Sequence, residues 1–352
     1  MVELFVPGRL CLFGEHADWA GALRAATPSL APGHCLVTAT TQGLGAVAEE
    51  AVGLFEISTV LPDGSRIGPE RFAAEPADLE AAAAAGGFFG YVAGTAAEVL
   101  RRHTAGGLRV RITRADLPVG KGLSSSAAAC VLVARAFNWV YALGLSIREE
   151  MELAWAGERR AGSACGLMDQ ACAFGSTTLL LTFDGDDVRI ESVRPAAPFH
   201  LLVVDLRAAK DTRRILRDLH ACFPATPGPV AAGVREALGP RNAVLVHRAR
   251  DAVRAGDAAA LGALMREAQE VFDRLVAPAC PELAAPRLHA VLAHPAVAAL
   301  AFGGKGVGSQ GDGTAQLVAR GAAERDELAA RLARDLGVAC LPLTLASPGA
   351  PR

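Results

Sequence analysis

Lysine is nearly missing from this 352-residue chain: Lys121, Lys210 and Lys305 are the whole set, so 35 basic residues less these 3 leave 32 arginines. Aromatic residues are scarce too, at 5%, and neither sign of charge prevails, because 35 basic residues face 37 acidic ones for a formal charge of -2. That balance excludes the basic domain a nucleic-acid binder presents. The eight cysteines form no CxxC pair and have no histidine at zinc-finger spacing. Set mostly among apolar neighbours, they read as buried thiols of a reducing compartment rather than disulfides or a zinc site. No apolar run approaches the ~18 residues of a membrane span. The opening residues meet a charge at Glu3 and break at Pro7, which predicts a soluble, cytoplasmic protein with no membrane partner.

What remains is a globular balance, 51% hydrophobic and 20% charged, long enough at ~150 residues per domain for about two domains. Residues 2–13, 35–48 and 52–60 read as extended, and Leu108, Val110 and Ile112 alternate with Arg109, Arg111 and Thr113 as a strand does. Residues 86–103 read as helix, and 127–145, apolar almost all round, as a buried helix. Ser146 with Glu149 forms a capping box that starts a helix to about Arg160. Strands follow at 177–183 and 199–206. Helices are then predicted at 211–221, 229–255, 257–277 and 281–293, and the chain closes with strand, glycine loop, strand and a helix over 321–336. The pattern is that of two α+β lobes joined near residue 200.

Four segments carry candidate chemistry. The first is the loop Pro118–Ser126, PVGKGLSSS, between a strand and a long helix. Its glycines turn backbone N–H groups toward an anion, its serines add hydroxyls, and the helix start adds partial positive charge, which suits a nucleotide triphosphate. A plain N-capped helix is the alternative. It is not a Walker A loop, since Gly122 rather than Ser or Thr follows Lys121. The second, Gly306-Val307-Gly308-Ser309-Gln310-Gly311, matches GxGxxG but is followed by a strand, which argues against a dinucleotide enzyme while leaving backbone amides for an anion. In the third, residues 7–19, Arg9, Glu15, His16 and Asp18 cluster at a strand end, a set suited to a polyhydroxylated ligand with Trp19 as an apolar wall; a solvated turn is the alternative. The fourth is Gly166-Leu167-Met168-Asp169-Gln170, preceded by Glu158, where Asp169 also reads as a helix cap. Where arginine has displaced lysine wherever a site allows it, surviving lysines mark a need for a compact charge. Lys121 and Lys305 lie in the two glycine-rich loops, and Lys210 stands apart from them.

In this order and spacing, PGRLCLFGEHADW, PVGKGLSSSAA, CGLMDQ and the late glycine loop resemble the motifs of the GHMP kinases, the first and third being most similar to galactokinase. Cys11 stands where galactokinases carry Asn, Trp19 where they carry Tyr, and VVDLRAAKDTRRIL is unlike its galactokinase counterpart. The resemblance implies a two-lobed α+β fold: a ribosomal-protein-like α/β lobe (1–195) and a ferredoxin-like lobe (196–352), with the active site in the cleft between them. It implies ATP and Mg²⁺ as cofactors. Asp169 would be the catalytic base, Arg9 would stabilise developing charge, and Ser126 and Glu158 would hold the metal. Gly120, Lys121, Gly122, Leu123, Ser124, Ser125 and Ser126, with Gly306 and Gly308, would hold ATP; Glu15, His16, Asp18 and Asp169 would contact the substrate. The activity implied is phosphoryl transfer to a monosaccharide hydroxyl. The alternatives are a mevalonate-like or homoserine-like alcohol, or a silent sugar or ATP sensor.

Overall fold

The computed structural model describes residues 1–61, 63–117, 122–163 and 165–345, so Gly120 and Lys121 of the predicted ATP loop lie outside the described residues. The chain begins with β1 (Val2–Phe13), α1 (Ala17–Ala22), β2 (Gly33–Glu50), β3 (Leu54–Val60) and β4 (Arg66–Ala73). Next come α2 (Pro76–Ala85), α3 (Gly90–Arg102), β5 (Leu108–Ala115), α4 (Ser125–Val140) and α5 (Ile147–Arg160). A 3-10 turn, Asp169–Phe174, leads to β6 (Thr178–Asp184), β7 (Asp187–Val193), β8 (Phe199–Asp205) and α6 (Thr212–His220). Then follow α7 (Pro229–Glu236), α8 (Asn242–Ala255), α9 (Ala258–Leu275), α10 (Pro286–Leu292) and α11 (Pro295–Leu300). The last elements are β9 (Ala301–Gly306), β10 (Thr314–Ala319), α12 (Ala322–Leu336) and β11 (Ala339–Leu345).

Contacts divide the chain into two units, Met1–Arg9 with Ala39–Ser176, and Leu10–Thr38 with Thr177–Arg352. In the first, strands are ordered β4-β3-β5-β2, with β3 and β5 parallel and the other neighbours antiparallel. The inward positions of this sheet, Phe55, Ile57, Leu108 and Val110, are fully buried, as are Val131, Leu132 and Phe137 of α4. Helices α3 and α5 cross at glycines: a Cβ on Gly94 would come within 2.3 Å of the Gly157 carbonyl oxygen, and one on Gly157 equally near the Thr95 Cα. Only hydrogen fits at both places, and the crossing fixes the next residue, Glu158. The capping box that starts α5 forms as expected, with both hydrogen bonds between Ser146 and Glu149 present.

In the second unit the first residues of β2 pair with β6, and β6 with β7. A separate antiparallel sheet has the order β11-β8-β10-β9. With β8 first in sequence, helices between β8 and β9, and α12 between β10 and β11, this is the ferredoxin-like arrangement. Its buried face, including Leu202, Val204 and Leu317, packs with Leu288, Val291, Leu328 and Leu332.

Three predicted elements differ. The helix over 229–255 is interrupted by a π turn at Ala237–Arg241 around Pro240, whose missing N–H cannot join the ladder. The helix over 281–293 is instead a 3-10 turn, Pro281–Ala284, followed by the short α10, because prolines open both pieces. The predicted 127–145 helix begins earlier and ends at Val140.

Candidate active site

In the first unit β1 brings Arg9 against the start of α4. Gly8 permits this approach, since a Cβ there would lie 2.9 Å from the Leu123 carbonyl oxygen, and the Arg9 backbone N–H donates to that same oxygen at 3.1 Å. Gly122 (φ 72°) and Ser124 (φ 57°) take left-handed turns immediately before the helix. Ser124 makes no side-chain cap; its Oγ accepts from Arg9 Nη2 at 2.6 Å. The same Nη2 is ion-paired with Asp169 Oδ1. Arg9 is buried, whereas the Asp169 side chain is 32% exposed, so the carboxylate keeps an open side.

Next to this pair, Ser126 Oγ donates to Glu158 Oε1 at 2.8 Å and Gln170 Nε2 donates to Glu158 Oε2 at 2.6 Å. Burial, reinforced by the nearby Asp169 charge, pushes the Glu158 carboxyl up to about 7. Ser126 Oγ and the Glu158 carboxylate are hard oxygens of the type Mg²⁺ accepts, and a cation there would relieve the buried negative charge. Among the described residues no three His, Cys, Asp or Glu side chains form a metal cluster, so the rest of such a shell would fall to phosphates and water.

The raised Glu158 pKa has a measurable sign. Its ordinary value is 4.5, so between pH 4.5 and 7 the folded state holds a proton that the unfolded state has lost. The metal-free protein is expected to lose stability as pH rises through 7, by on the order of 3 kcal/mol in total. Glu158→Gln should flatten that slope in a series of urea melts from pH 5 to 8; an identical slope in both proteins would rule the shift out.

A cavity of about 300 Å³ in the same unit is lined by Ile57, Phe88, Phe89 and Tyr91 together with Ser125 and Ser126. It was missed in the sequence, although three aromatic residues within four positions stand out in a chain this poor in them.

In the second unit β1 gives way to Gly14, where a Cβ would collide with the His34 carbonyl oxygen, and the chain turns through Glu15 and His16 into α1. Glu15 and Lys305, 5% and 3% exposed, form a buried ion pair, and Lys305 Nζ also donates to the Gly306 carbonyl at 2.8 Å. His16 is buried with φ 68°, and Trp19 Nε1 donates to its Nδ1 at 3.2 Å. Burial holds its pKa down to about 4, so it is neutral at physiological pH. Trp19 in turn stacks on His220 with ring centroids 3.9 Å apart and meets Phe223 edge-on. Asp18 is buried in the first turn of α1.

The second glycine loop is tied down rather than open. The Gly306 N–H donates to Gln269 Oε1 at 2.8 Å, and Asp312 Oδ1 accepts from the first N–H groups of α10 at 2.9 Å. The amide expected to meet an anion at Gly306 therefore already has a protein partner; Gly308 adopts φ 67°. Lys305 forms a buried ion pair with Glu15, and Lys210 reaches this loop as well, its Nζ donating to the Gln310 carbonyl at 2.9 Å. Gln170, Gln269, His220 and Lys210 went unassigned in the motif reading; for Gln170 the signal was its place directly after Asp169.

The fold is similar to that of solved galactokinase and mevalonate kinase structures. Residues 90–176 match the family model for the GHMP kinases N terminal domain, the stretch from α3 through Asp169. A galactokinase of Pyrococcus furiosus is 29% identical over 192 residues, 53% of this chain and 48% of that protein. The chain spans about half the length of the curated relatives it matches. Among solved structures, Lactococcus lactis galactokinase complexed with galactose superposes with a TM-score of 0.73 at 18% identity, covering 98% of this chain and 93% of the other. Mevalonate kinase of L. major in complex with R-mevalonate gives 0.71 at 18% identity, covering 100% and 97%. No helix among the described residues is long and apolar enough to cross a membrane.

Proposed function

We propose that the protein is an ATP-dependent kinase that transfers a phosphoryl group to a hydroxyl of a monosaccharide, a galactokinase-like sugar 1-kinase. The observation that carries this reading is the Arg9–Asp169 pair anchored on Ser124 at the start of α4. It sets a carboxylate and a guanidinium beside backbone N–H groups suited to phosphates. The triphosphate is assigned to the 118–126 loop, and the aromatic-lined cavity beside Ser125 and Ser126 to the base of the nucleotide. Mg²⁺, held by Ser126 and Glu158, neutralises phosphate charge when bound. Asp169 accepts the proton of the attacking hydroxyl as its oxygen bonds the terminal phosphorus, the bond to the bridging oxygen breaks, and ADP leaves. Arg9 holds the Asp169 carboxylate in place before the transfer and balances the charge that develops during it.

His16 and Asp18 are assigned to sugar hydroxyls. The buried Glu15–Lys305 pair is assigned to shaping that wall. An ATPase-coupled assay over a panel of free hexoses and pentoses is expected to find at least one substrate. Asp18→Ala should lower kcat/KM on it by at least about tenfold, the equivalent of ~1.4 kcal/mol. A panel in which every sugar is inert while an acyclic alcohol turns over would overturn the sugar reading and keep the kinase. A protein that binds ATP or sugar with no turnover at all would be the sensor.

A further inference from the structure

Gln170 is fully buried, follows Asp169 directly in the 3-10 turn, and gives its Nε2–H to Glu158 Oε2 at 2.6 Å. The other oxygen, Oε1, faces Ser126 Oγ at 2.8 Å. The two oxygens of this carboxylate are therefore not equivalent: one is committed to an amide, the other to the hydroxyl that shares the proposed metal site. We infer that Gln170 is a positioning residue that restricts Glu158 to ligation through a single oxygen and thereby sets the preference of the site for Mg²⁺ over Ca²⁺. The inference rests on the reading of Ser126 and Glu158 as metal ligands.

The physical argument is one of coordination number. Mg²⁺ demands a near-octahedral shell with oxygens at about 2.0–2.1 Å, which a one-oxygen carboxylate fits. Ca²⁺ gathers roughly six to eight oxygens at about 2.3–2.6 Å and often takes both oxygens of one carboxylate. With Oε2 held by Gln170, the larger ion takes its second oxygen at the expense of a buried, charge-assisted hydrogen bond, whereas the smaller ion displaces only the Ser126 hydroxyl proton from Oε1 and leaves the Gln170 bond in place. The Gly94–Gly157 crossing leaves α5 no room to move toward α3.

Electron paramagnetic resonance of Mn²⁺ bound to the full chain with a non-hydrolysable ATP analogue tests this, with Mg²⁺ and Ca²⁺ as competitors. Gln170→Met keeps the length of the side chain and removes the donor; Gln170→Leu serves where the first variant does not fold. The wild-type advantage of Mg²⁺ over Ca²⁺ in displacing Mn²⁺ is expected to shrink at least fivefold in either variant. The nucleotide's own preference is common to all the proteins and cancels. A ratio unchanged within twofold in a folded variant overturns the inference, because a merely structural glutamine moves stability and not ion choice. Glu158→Gln separates the two levels. If it leaves Mn²⁺ affinity untouched, the metal reading falls and the inference with it. If it weakens Mn²⁺ at least tenfold while the Gln170 variants keep the wild-type ratio, only the inference falls.

Discussion

Asp169→Asn is expected to leave nucleotide affinity within about threefold of wild type while kcat falls by roughly 100-fold or more, the range a positioned general base supplies. Asparagine fills the same volume and can still accept a hydrogen bond from Arg9, so the anchor on Ser124 survives. What it lacks is a carboxylate to take the hydroxyl proton as the new oxygen–phosphorus bond forms. The loss should therefore fall on kcat rather than on KM for ATP, which initial-rate kinetics and a separate nucleotide titration distinguish. Near-wild-type kcat would show that Asp169 is not the base. An equal loss of nucleotide affinity would show that the Arg9–Asp169 pair holds the loop instead of performing the chemistry.

Lys305→Met is expected to cost about 3–5 kcal/mol of stability, the usual penalty for stranding one partner of a buried ion pair. Glu15 and Lys305 are both nearly sealed from solvent, and they lie 290 residues apart, so the pair closes the second unit from its two ends. The single variant leaves a buried carboxylate to be protonated or exposed, and the Gly306 carbonyl loses one donor. The double variant Lys305→Met, Glu15→Leu removes both charges and should recover most of the loss, since an apolar replacement of such a pair is often neutral. Denaturant unfolding of the four proteins in the cycle measures the coupling directly. A single-variant cost under about 1 kcal/mol would mean that water reaches the pair after all.

These two residues also show where sequence reasoning stops. The Ser146–Glu149 capping box and the alternation of β5 are local patterns, and each formed as read. Arg9 and Asp169 were recognised as motif positions, and the structure adds that they touch. By contrast, nothing local in GGKGVG announces that Lys305 will meet a glutamate in the first turn of the chain, or that Lys210 will cross to Gln310. Strands β4 and β11 escaped for a different reason: each carries a proline, Pro69 or Pro342, and looks like a break. Both lie at sheet edges, where a missing N–H deprives no neighbour. The cavity lined by Phe88, Phe89 and Tyr91 depends on β3, β5 and α4 converging, which no single window of sequence contains.

The assignment of Leu10–Thr38 to the second unit sets a schedule for biosynthesis. This segment leaves the ribosome well before the side chains that close on it: Asn242 donates to the His34 carbonyl at 2.7 Å, and Gln316 to the Cys11 carbonyl at 2.8 Å. At roughly 5–20 residues per second, more than ten seconds pass between the emergence of Cys11 and that of Gln316. Through that interval the apolar end of β1, with Leu10, Leu12 and Phe13, has no finished core to enter. Over that interval the nascent chain carries this apolar segment without its late partners, while the first unit, which the segment interrupts in sequence, is already being completed.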